Sequence, residues 1–248
     1  MRNNIYDNEK FFDKYSKMAR SVYGLKGAGE WQTFKRMLPI LENKRVLDLG
    51  CGFGWHCKYA IENKAKEVVG IDSSEKMLAQ AKKINRDRAI EYINSTIEEI
   101  EIKNEYFDVV ISSLALHYIE DFYKVCEKVY DTLKDDGYFV FSVEHPVFTA
   151  HGKQEWYTDE LGNISHWPVD NYFYEGKRVS NFLGENVIKY HKTLTTYISD
   201  LLKCGFEIKE VIEPMPPKDM IDEIDGMKDE LRRPMMLLIS ARKVNNKY

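Results

Sequence analysis

The sequence predicts an α/β fold in which helices cover both faces of a mostly parallel sheet. Short apolar runs alternate with stretches of helical period between residues 45 and 144, and a glycine-rich turn directly follows the first apolar run. The alternation breaks in an aromatic-rich stretch and then resumes towards the C-terminus. Strands that alternate with helices are typical of βαβ units, which form parallel sheets with right-handed crossovers.

The predicted elements follow one another in a regular order. Strands are expected at residues 45–49, 67–71, 90–93, 107–112, 137–143, 206–212 and 235–241. Helices are expected at 55–63, 74–85, 122–133 and about 194–203; in the third, Val125, Val129 and Leu133 recur at helical spacing. We interpret residues 1–248 as one domain. It comprises a leading helical segment (1–40), a cofactor-binding core (45–145), an aromatic insertion (146–190) and a C-terminal helix with two strands (191–243).

The composition argues against several classes of protein. A net charge of −4 and a pI of about 5.9 provide no general attraction for nucleic acid or anionic membranes. No apolar run approaches the roughly 20 residues of a membrane-spanning helix, and the N-terminus is polar where a secretory signal would be apolar. The four cysteines show no metal-ligand spacing. We therefore expect a cytoplasmic protein with no metal, membrane partner or nucleic-acid partner, while the oligomeric state stays open.

The most informative stretch is VLDLGCGFG, residues 46–54. Its strand carries Asp48 and then turns through Gly50, Gly52 and Gly54, which suit a ligand lying against backbone with positive φ. The next strand, VVGID, closes with Asp72, 18 residues after Gly54. A carboxylate there can accept both ribose hydroxyls of a nucleoside, at the edge of the sheet where α/β folds bind ligands. These features fit both a nicotinamide-dependent oxidoreductase and a methyltransferase.

The glycine spacing favours the second of these. Dinucleotide-binding proteins carry GxGxxG, whereas the third glycine here arrives one residue early and Trp55 stands where that motif requires glycine. The sequence contains no GxxxxGK-Ser/Thr loop, and the turn has no Lys or Arg for a phosphate. We therefore expect the ligand to be a nucleoside without phosphates.

Five motifs, in order, resemble those of the class I S-adenosylmethionine-dependent methyltransferases, in the small-molecule branch called methyltransferase type 11. They are VLDLGCGFG, GIDSSEKML, YINSTIEEI, FDVVISSLALHYI and LKDDGYFVFSVEHP, and they span about residues 45–144. The resemblance implies a Rossmann-like sheet of seven strands whose last strand is antiparallel. It also implies S-adenosylmethionine as the cofactor and S-adenosylhomocysteine as its product.

By position, the resemblance also implies a cofactor site. Asp48 and Gly50 would lie beside the methionine part, Asp72 would hold the ribose, and Arg20 would reach the cofactor carboxylate from the leading segment. The full set expected to bind the cofactor is Asp48, Gly50, Gly52, Gly54, Asp72, Ser73, Met77, Thr96, Ile97, Ser113 and Arg20. The family usually has Asp where Thr96 stands, so this position offers adenine a weaker, uncharged acceptor.

Two histidines are candidates for acid–base chemistry. His117 and His145 follow the fourth and fifth strands, at the edge where the methyl acceptor would lie, and an unperturbed imidazole titrates at about pH 6.5. Each is explained as well by a hydrogen-bonding role in its own turn. The same holds for Glu144, while His56 would either touch the methionine part of the cofactor or simply be exposed.

The insertion is the expected place for acceptor binding. We interpret Trp167 and Tyr172, and His191 just after the insertion, as substrate-binding residues. The insertion would be either a lid that excludes water from the acceptor or a fixed cover over the sheet edge. Because methyl transfer is an in-line displacement, positioning and desolvation can supply much of the acceleration without a strong base.

The predicted function is transfer of the S-adenosylmethionine methyl group to an O, N or C atom of a small-molecule acceptor. The motif for exocyclic amines, Asp/Asn-Pro-Pro-Tyr, is absent because residues 112–115 read SSLA. That argues against a nucleobase acceptor. Two alternatives stay open, a non-catalytic cofactor-binding module and a nicotinamide-dependent oxidoreductase.

Overall fold

The computed structural model describes residues 4–244. Its α-helices are α1 (Glu9–Ser16), α2 (Ala19–Val22), α3 (Trp31–Met37), α4 (Trp55–Glu62), α5 (Glu75–Ile84), α6 (Phe122–Thr132), α7 (Pro146–Ala150), α8 (Leu194–Lys203) and α9 (Lys218–Glu223). Its strands are β1 (Arg45–Leu49), β2 (Glu67–Asp72), β3 (Ile90–Asn94), β4 (Phe107–Ser113), β5 (Leu133–Glu144), β6 (Tyr157–Thr158), β7 (Ile164–His166), β8 (Gly176–Phe182), β9 (Glu185–His191), β10 (Phe206–Ile212) and β11 (Met236–Lys243). Short 3₁₀ turns lie at Ile5–Asp7, Gly24–Gly27, Leu116–Tyr118 and Met227–Arg232.

Seven of the strands form one sheet in the order β10-β11-β5-β4-β1-β2-β3. β11 runs antiparallel to both of its neighbours, and the pairs among β1 to β5 are all parallel. The predicted fold class is therefore confirmed, including the antiparallel last strand. The chain order reverses between β1 and β4, so the loops that leave these two strands diverge. In open α/β sheets ligands bind in the crevice at such a reversal, outside the carboxyl ends of the strands.

Helices cover both faces of this sheet because the side chains of each strand alternate between two apolar layers. On β1, Val46 packs in the layer that contains α3 and α4, while Leu47 and Leu49 pack in the layer that contains α6 and α8. Buried side chains of these helices include Trp31, Phe34, Cys57 and Ala60 on the first face and Phe122, Val125, Tyr197 and Leu201 on the second. The two layers fix the sheet and thereby the positions of the loops at its carboxyl edge.

The insertion contains more regular structure than the sequence indicates. It begins with α7 and continues through two antiparallel hairpins, β6–β7 and β8–β9, of which the second pairs Gly176 with His191 and Phe182 with Glu185. Leu183 and Gly184 at its tip have φ of 55° and 81°, the two positive values that a type I′ hairpin turn requires.

Neither a membrane-spanning helix nor a cluster of metal-binding side chains is found among the described residues. Between residues 4 and 244, no helix has both the length and the apolar character to cross a bilayer. Within the same residues, no group of three or more His, Cys, Asp or Glu side chains is arranged to hold a metal ion.

Candidate active site

The turn after β1 is held against the end of β2. The N–H groups of Gly50 and Cys51 both donate to the carbonyl oxygen of Ile71, at 2.8 and 2.9 Å. Gly50 has a φ of 73°, and a Cβ at this position would collide with Ala115 in the turn after β4. Gly52 has a φ of 53°, and a Cβ there would point into open space. The turn therefore presents bare backbone at the crevice between β1 and β4.

Asp72, the last residue of β2, is aligned by this turn. Its Oδ2 accepts the N–H of Gly52 and its Oδ1 accepts the N–H of Ser74, both at 2.8 Å. Each carboxylate oxygen keeps a second lone pair, so the side chain can still accept two hydroxyl groups. Burial raises the pKa of Asp72 to about 6, against the lowering effect of these N–H groups. The carboxylate is therefore ionised at neutral pH.

Asp48 lies deeper, on β1, with 1% of its surface exposed. The thiol of Cys57 donates to its Oδ2 at 3.2 Å, and Oδ1 is buried without a hydrogen-bond partner among residues 4–244. Burial raises the pKa of Asp48 to about 7. Its unpaired oxygen is a polar atom that still needs a donor, which a ligand or a water in the crevice can provide.

The N-terminal segment, residues 4–16, docks on the corner between β2 and α5. The Asn4 amide donates to Ser73 Oγ at 2.8 Å. The Asp7 carboxylate accepts the Ser74 hydroxyl at 2.7 Å and the N–H of Lys76 at 3.1 Å. Asp7 thus binds the N-terminal end of α5, where unpaired N–H groups favour a carboxylate.

Aromatic side chains of this segment extend over the site. The hydroxyls of Tyr6 and Tyr118 lie 2.9 Å apart and join the segment to the turn after β4. The ring of Tyr15 lies edge-on to that of Phe53 in the glycine turn, with centroids 5.9 Å apart. Burial raises the pKa of both Tyr6 and Tyr15, so both phenols are neutral hydrogen-bonding groups at the working pH.

The other side of the segment rests on the β8–β9 hairpin. The ammonium group of Lys14 donates to the carbonyl of Leu183 at 2.8 Å, and the rings of Phe11 and Phe182 meet at a centroid distance of 5.8 Å. The N-terminal segment therefore bridges from the β2–α5 corner to the insertion and contacts the glycine turn between them.

Arg20, which the resemblance assigns to the cofactor carboxylate, follows on α2 and pairs with Glu30. Its Nη2 lies 2.6 Å from Glu30 Oε1, and the two side chains are 23% and 3% exposed. His56 is packed between the rings of Trp31 and Phe34, and burial lowers its pKa to about 3. His56 is therefore a neutral packing residue next to this ion pair.

The residues expected near adenine lie on the β2–β3 side of the glycine turn. Met77 is buried in the first turn of α5, and Ser73 is exposed and bonded to Asn4. The Thr96 hydroxyl accepts the N–H of Glu99 and donates to its carboxylate, both at 3.1 Å. This hydroxyl therefore caps its own turn, and the carbonyl of the buried Ile97 accepts a hydrogen bond from Lys128 at 3.1 Å.

His117 lies in the turn after β4, with 2% of its surface exposed. Its Nδ1 accepts the backbone N–H of Glu144 at 3.4 Å, and its Nε2 lies 4.0 Å from Glu144 Oε1. Burial lowers the pKa of His117 to about 4 although Glu144 opposes this shift. The geometry therefore gives a neutral imidazole whose Nε2 carries the proton, and this nitrogen is a donor instead of a base.

Glu144 is itself fixed from the insertion. Its Oε1 lies 2.6 Å from the ammonium group of Lys189, and its Oε2 accepts the amide of Gln154 at 2.7 Å. Burial acts to raise the pKa of Glu144, but His117 and Lys189 outweigh it and the pKa is lowered. Lys189 is only 3% exposed, so this is a buried, ionised network.

Ser113, at the end of β4, lies close to the same edge and accepts a hydrogen bond from the Ser142 hydroxyl at 3.3 Å. His145 and His191 have both ring nitrogens close to protein groups. His145 Nδ1 accepts the N–H of Val147 at 3.0 Å and its Nε2 lies 2.7 Å from Glu213. His191 is fully buried between the Thr149 hydroxyl and the carbonyl of Tyr172, at 2.7 and 2.8 Å. The geometry favours structural roles for both histidines.

Trp167 and Tyr172 also have partners within the insertion. The Trp167 indole donates to the carbonyl of Val147 at 3.1 Å and stacks on Phe148, while the Arg233 guanidinium lies 4.1 Å from its ring centroid. Tyr172 packs edge-on against His191, and its hydroxyl accepts the N–H of Leu194 at 3.3 Å. These contacts connect neither ring to Asp72 or His117.

The sequence-predicted acids and glycines lie together at the carboxyl edge of β1 and β2, whereas the sequence alone does not single out most residues that attach the N-terminal segment there. The missed residues are Asp7, Tyr6, Tyr15, Tyr118, Glu30 and Lys189. A usable sign is the aromatic spacing in IYDNEKFFDKY, because Phe11 and Tyr15 lie one turn apart on the helix that Asn8 caps, and Tyr6 just before the cap contacts both rings. No local pattern indicates that Glu30 or Lys189 would be buried.

Comparisons with known proteins agree with this geometry. A family model described as a methyltransferase domain matches residues 47–141. An uncharacterised protein of Haemophilus influenzae is 36% identical over 97% of both chains.

Two solved structures are also similar. A protein from Listeria monocytogenes assigned as an S-adenosylmethionine-dependent methyltransferase is 58% identical, with a TM-score of 0.85 over 90% of this chain and 100% of its own. An S-adenosylmethionine-dependent methyltransferase from Mesorhizobium loti is 42% identical, with a TM-score of 0.82 over 88% of this chain and 100% of its own. With this identity over nearly the whole length, the chain belongs to the S-adenosylmethionine-dependent methyltransferases.

Proposed function

We propose that the protein transfers the methyl group of S-adenosylmethionine to an O, N or C atom of a small-molecule acceptor, in a chamber covered by the N-terminal segment. The observation that carries this proposal is the 2.9 Å contact between the hydroxyls of Tyr6 and Tyr118, which joins the N-terminal segment to the turn after β4. A covered chamber suits a small acceptor better than a macromolecule, which would need an open groove. The net charge of −4 also offers no attraction for a polyanion.

The residues at the carboxyl edge fit this cofactor. Asp72 has two free lone pairs for the ribose hydroxyls, Gly52 leaves open space beside them, and Asp48 keeps a buried oxygen without a partner. When bound, S-adenosylmethionine supplies an electrophilic methyl group on a sulfonium. Asp72 would hold the ribose, and Met77 and Ile97 would border the adenine. Ser113 would face the reacting side, and Arg20 would take the carboxylate.

His117 and the Glu144–Lys189 pair would position the acceptor. His117 offers Nε2–H as a donor, and the Tyr6–Tyr118 pair offers one further O–H, because one of the two hydroxyls donates to the other. With these groups, methyl transfer would depend on orientation of the acceptor and exclusion of water, and would not require a strong base. The β8–β9 hairpin supplies Lys189 and supports the N-terminal segment, so the insertion would act mainly through this hairpin.

Two alternatives make different predictions. A non-catalytic cofactor-binding module would bind S-adenosylmethionine without turning it over. A nicotinamide-dependent oxidoreductase would bind NAD more tightly than S-adenosylhomocysteine. The early third glycine and Trp55 argue against binding of a dinucleotide pyrophosphate, and therefore against the oxidoreductase.

The test is a methyl-transfer screen. The protein is incubated with methyl-labelled S-adenosylmethionine and fractionated cell metabolites, and mass spectrometry detects labelled products and S-adenosylhomocysteine. We expect labelled small molecules that disappear with Asp72→Ala and persist with the exposed control Glu9→Gln. Cofactor binding without transfer to any fraction would favour the non-catalytic module, and tighter binding of NAD would refute the proposal.

A further inference from the structure

Arg20 on α2 and Glu30 just before α3 form a largely buried ion pair, with side chains 23% and 3% exposed. Arg20 Nη2 contacts only one of the two carboxylate oxygens of Glu30, Oε1. The other, Oε2, is buried without a hydrogen-bond partner among residues 4–244. An unpaired oxygen of a buried carboxylate is costly, and such groups in native proteins usually have a missing partner.

The pair is close to the glycine turn through Tyr15. Burial raises the pKa of Tyr15, and the charges of Arg20, Asp72 and Glu30 all act on the same phenol. The Tyr15 ring in turn contacts Phe53 of the glycine turn, with centroids 5.9 Å apart. Trp31, which follows Glu30, contacts His56 of α4 with ring centroids 5.5 Å apart, so the ion pair lies near the helix into which the glycine turn leads.

The amino-acid end of the cofactor is a zwitterion, with an ammonium and a carboxylate on one carbon. A guanidinium carries five N–H donors, and the contact with Glu30 engages only one end of it. Arg20 thus retains donors for a carboxylate, and Glu30 Oε2 is an acceptor for an ammonium. The pair therefore offers donors and an acceptor next to each other, the combination that binds a zwitterion.

We propose that Glu30 binds the α-ammonium group of the cofactor through Oε2, next to Arg20. This inference rests on the proposed function, because it assigns a residue to the cofactor site of the same reaction. The competing explanation is that the ion pair only fastens α2 to α3. A fastening role predicts a loss of stability without any preference among ligands.

The experiment is a double-mutant cycle between protein and ligand, with affinities measured by calorimetry. The ligands are S-adenosylhomocysteine and its deaminated analogue, which keeps the carboxylate and lacks the ammonium. The proteins are the unsubstituted chain, Glu30→Gln and the control Glu9→Gln. Glu30→Gln keeps the length of the side chain and an acceptor for Arg20, and Glu9 is an exposed residue of α1.

We expect the unsubstituted protein and Glu9→Gln to bind S-adenosylhomocysteine roughly 10- to 150-fold more tightly than the deaminated analogue, the range of a charge-assisted hydrogen bond. In Glu30→Gln most of this preference should be lost, chiefly through weaker binding of S-adenosylhomocysteine. An unchanged preference in Glu30→Gln, or equal weakening of both ligands, would overturn the inference.

The affinities of the unsubstituted protein for the two ligands test the inference without depending on the folding of a variant. If it binds the two ligands equally, the inference is refuted while cofactor binding stands. If it binds neither ligand, the inference and the proposed function are both refuted.

Discussion

Asp48 is expected to make the stability of the ligand-free protein fall as the pH rises. Its carboxylate is buried on β1, where a thiol is its only donor among residues 4–244, and burial raises its pKa to about 7. In the unfolded chain the same group titrates near an ordinary value of about 3.9. Between these two pH values the folded protein binds a proton that the unfolded chain has released. The free energy of unfolding therefore decreases as the pH rises from about 4 to 7.

The difference between an ordinary value of 3.8 and about 7 sets the size of the effect. At about 1.4 kcal/mol for each pH unit, it corresponds to roughly 4 kcal/mol. Asp48→Asn removes the titration but keeps the shape of the side chain. Its stability relative to the unsubstituted protein should therefore improve by roughly 4 kcal/mol between pH 4 and pH 8.

Urea unfolding of both proteins at a series of pH values measures this difference. Asp108→Asn is the matched control. Burial acts to raise the pKa of Asp108, but the N–H of Arg45 and the ammonium of Lys134 outweigh it and hold the pKa below its ordinary value. Asp108→Asn should be less stable than the unsubstituted protein at neutral pH, and this difference in the free energy of unfolding should shrink as the pH falls. If the curves for Asp48→Asn and the unsubstituted protein stay parallel from pH 4 to pH 8, Asp48 does not titrate as described.

Three further predictions concern the crevice and its cover. Asp72→Ala should weaken binding of S-adenosylhomocysteine, measured by calorimetry, roughly 10- to 150-fold, the range for charge-assisted hydrogen bonds. An unchanged affinity in a folded variant would show that Asp72 does not bind the cofactor. Tyr6→Phe loses the hydrogen bond to Tyr118, which contributes about 1 kcal/mol to the attachment of the N-terminal segment. Limited proteolysis should therefore cut this segment several-fold faster. An unchanged rate would show that this hydrogen bond does not hold the segment in place. Trp167→Ala should lower the free energy of unfolding by roughly 3 kcal/mol and leave cofactor affinity unchanged. An altered acceptor preference in Trp167→Ala would instead assign that ring to the acceptor site.

The central sheet could be predicted from the sequence because its signals are local. The strand expected at 67–71 is Glu67–Asp72 in the structure, and the one expected at 235–241 is Met236–Lys243. Each is a short apolar run bounded by turn residues, and burial between two helix layers requires that pattern. The same locality places Asp72 at the carboxyl end of β2, where it bonds the glycine turn.

The β8–β9 hairpin could not be predicted from hydrophobic period. Val187, Lys189 and His191 alternate as the buried residues of β9, but two of the three are polar. Lys189 can be buried because Glu144 and Gln154, both distant in sequence, accept hydrogen bonds from its ammonium group. The contact between Tyr6 and Tyr118 spans 112 residues and has no local signal. Such pairings depend on the assembled fold, so a single sequence does not reveal them.

The attachment of the N-terminal segment has a consequence for how ligands exchange. Asn4 and Asp7 bind the corner that carries Ser73 and Ser74, while Tyr6 bonds the turn that carries His117. One element therefore contacts both the side of the crevice proposed for adenosine and the side proposed for the acceptor. If ligands enter only when the segment is displaced, the apparent affinity of both scales with the displaced fraction. Residence times of cofactor and acceptor should then change in parallel when these anchors are weakened.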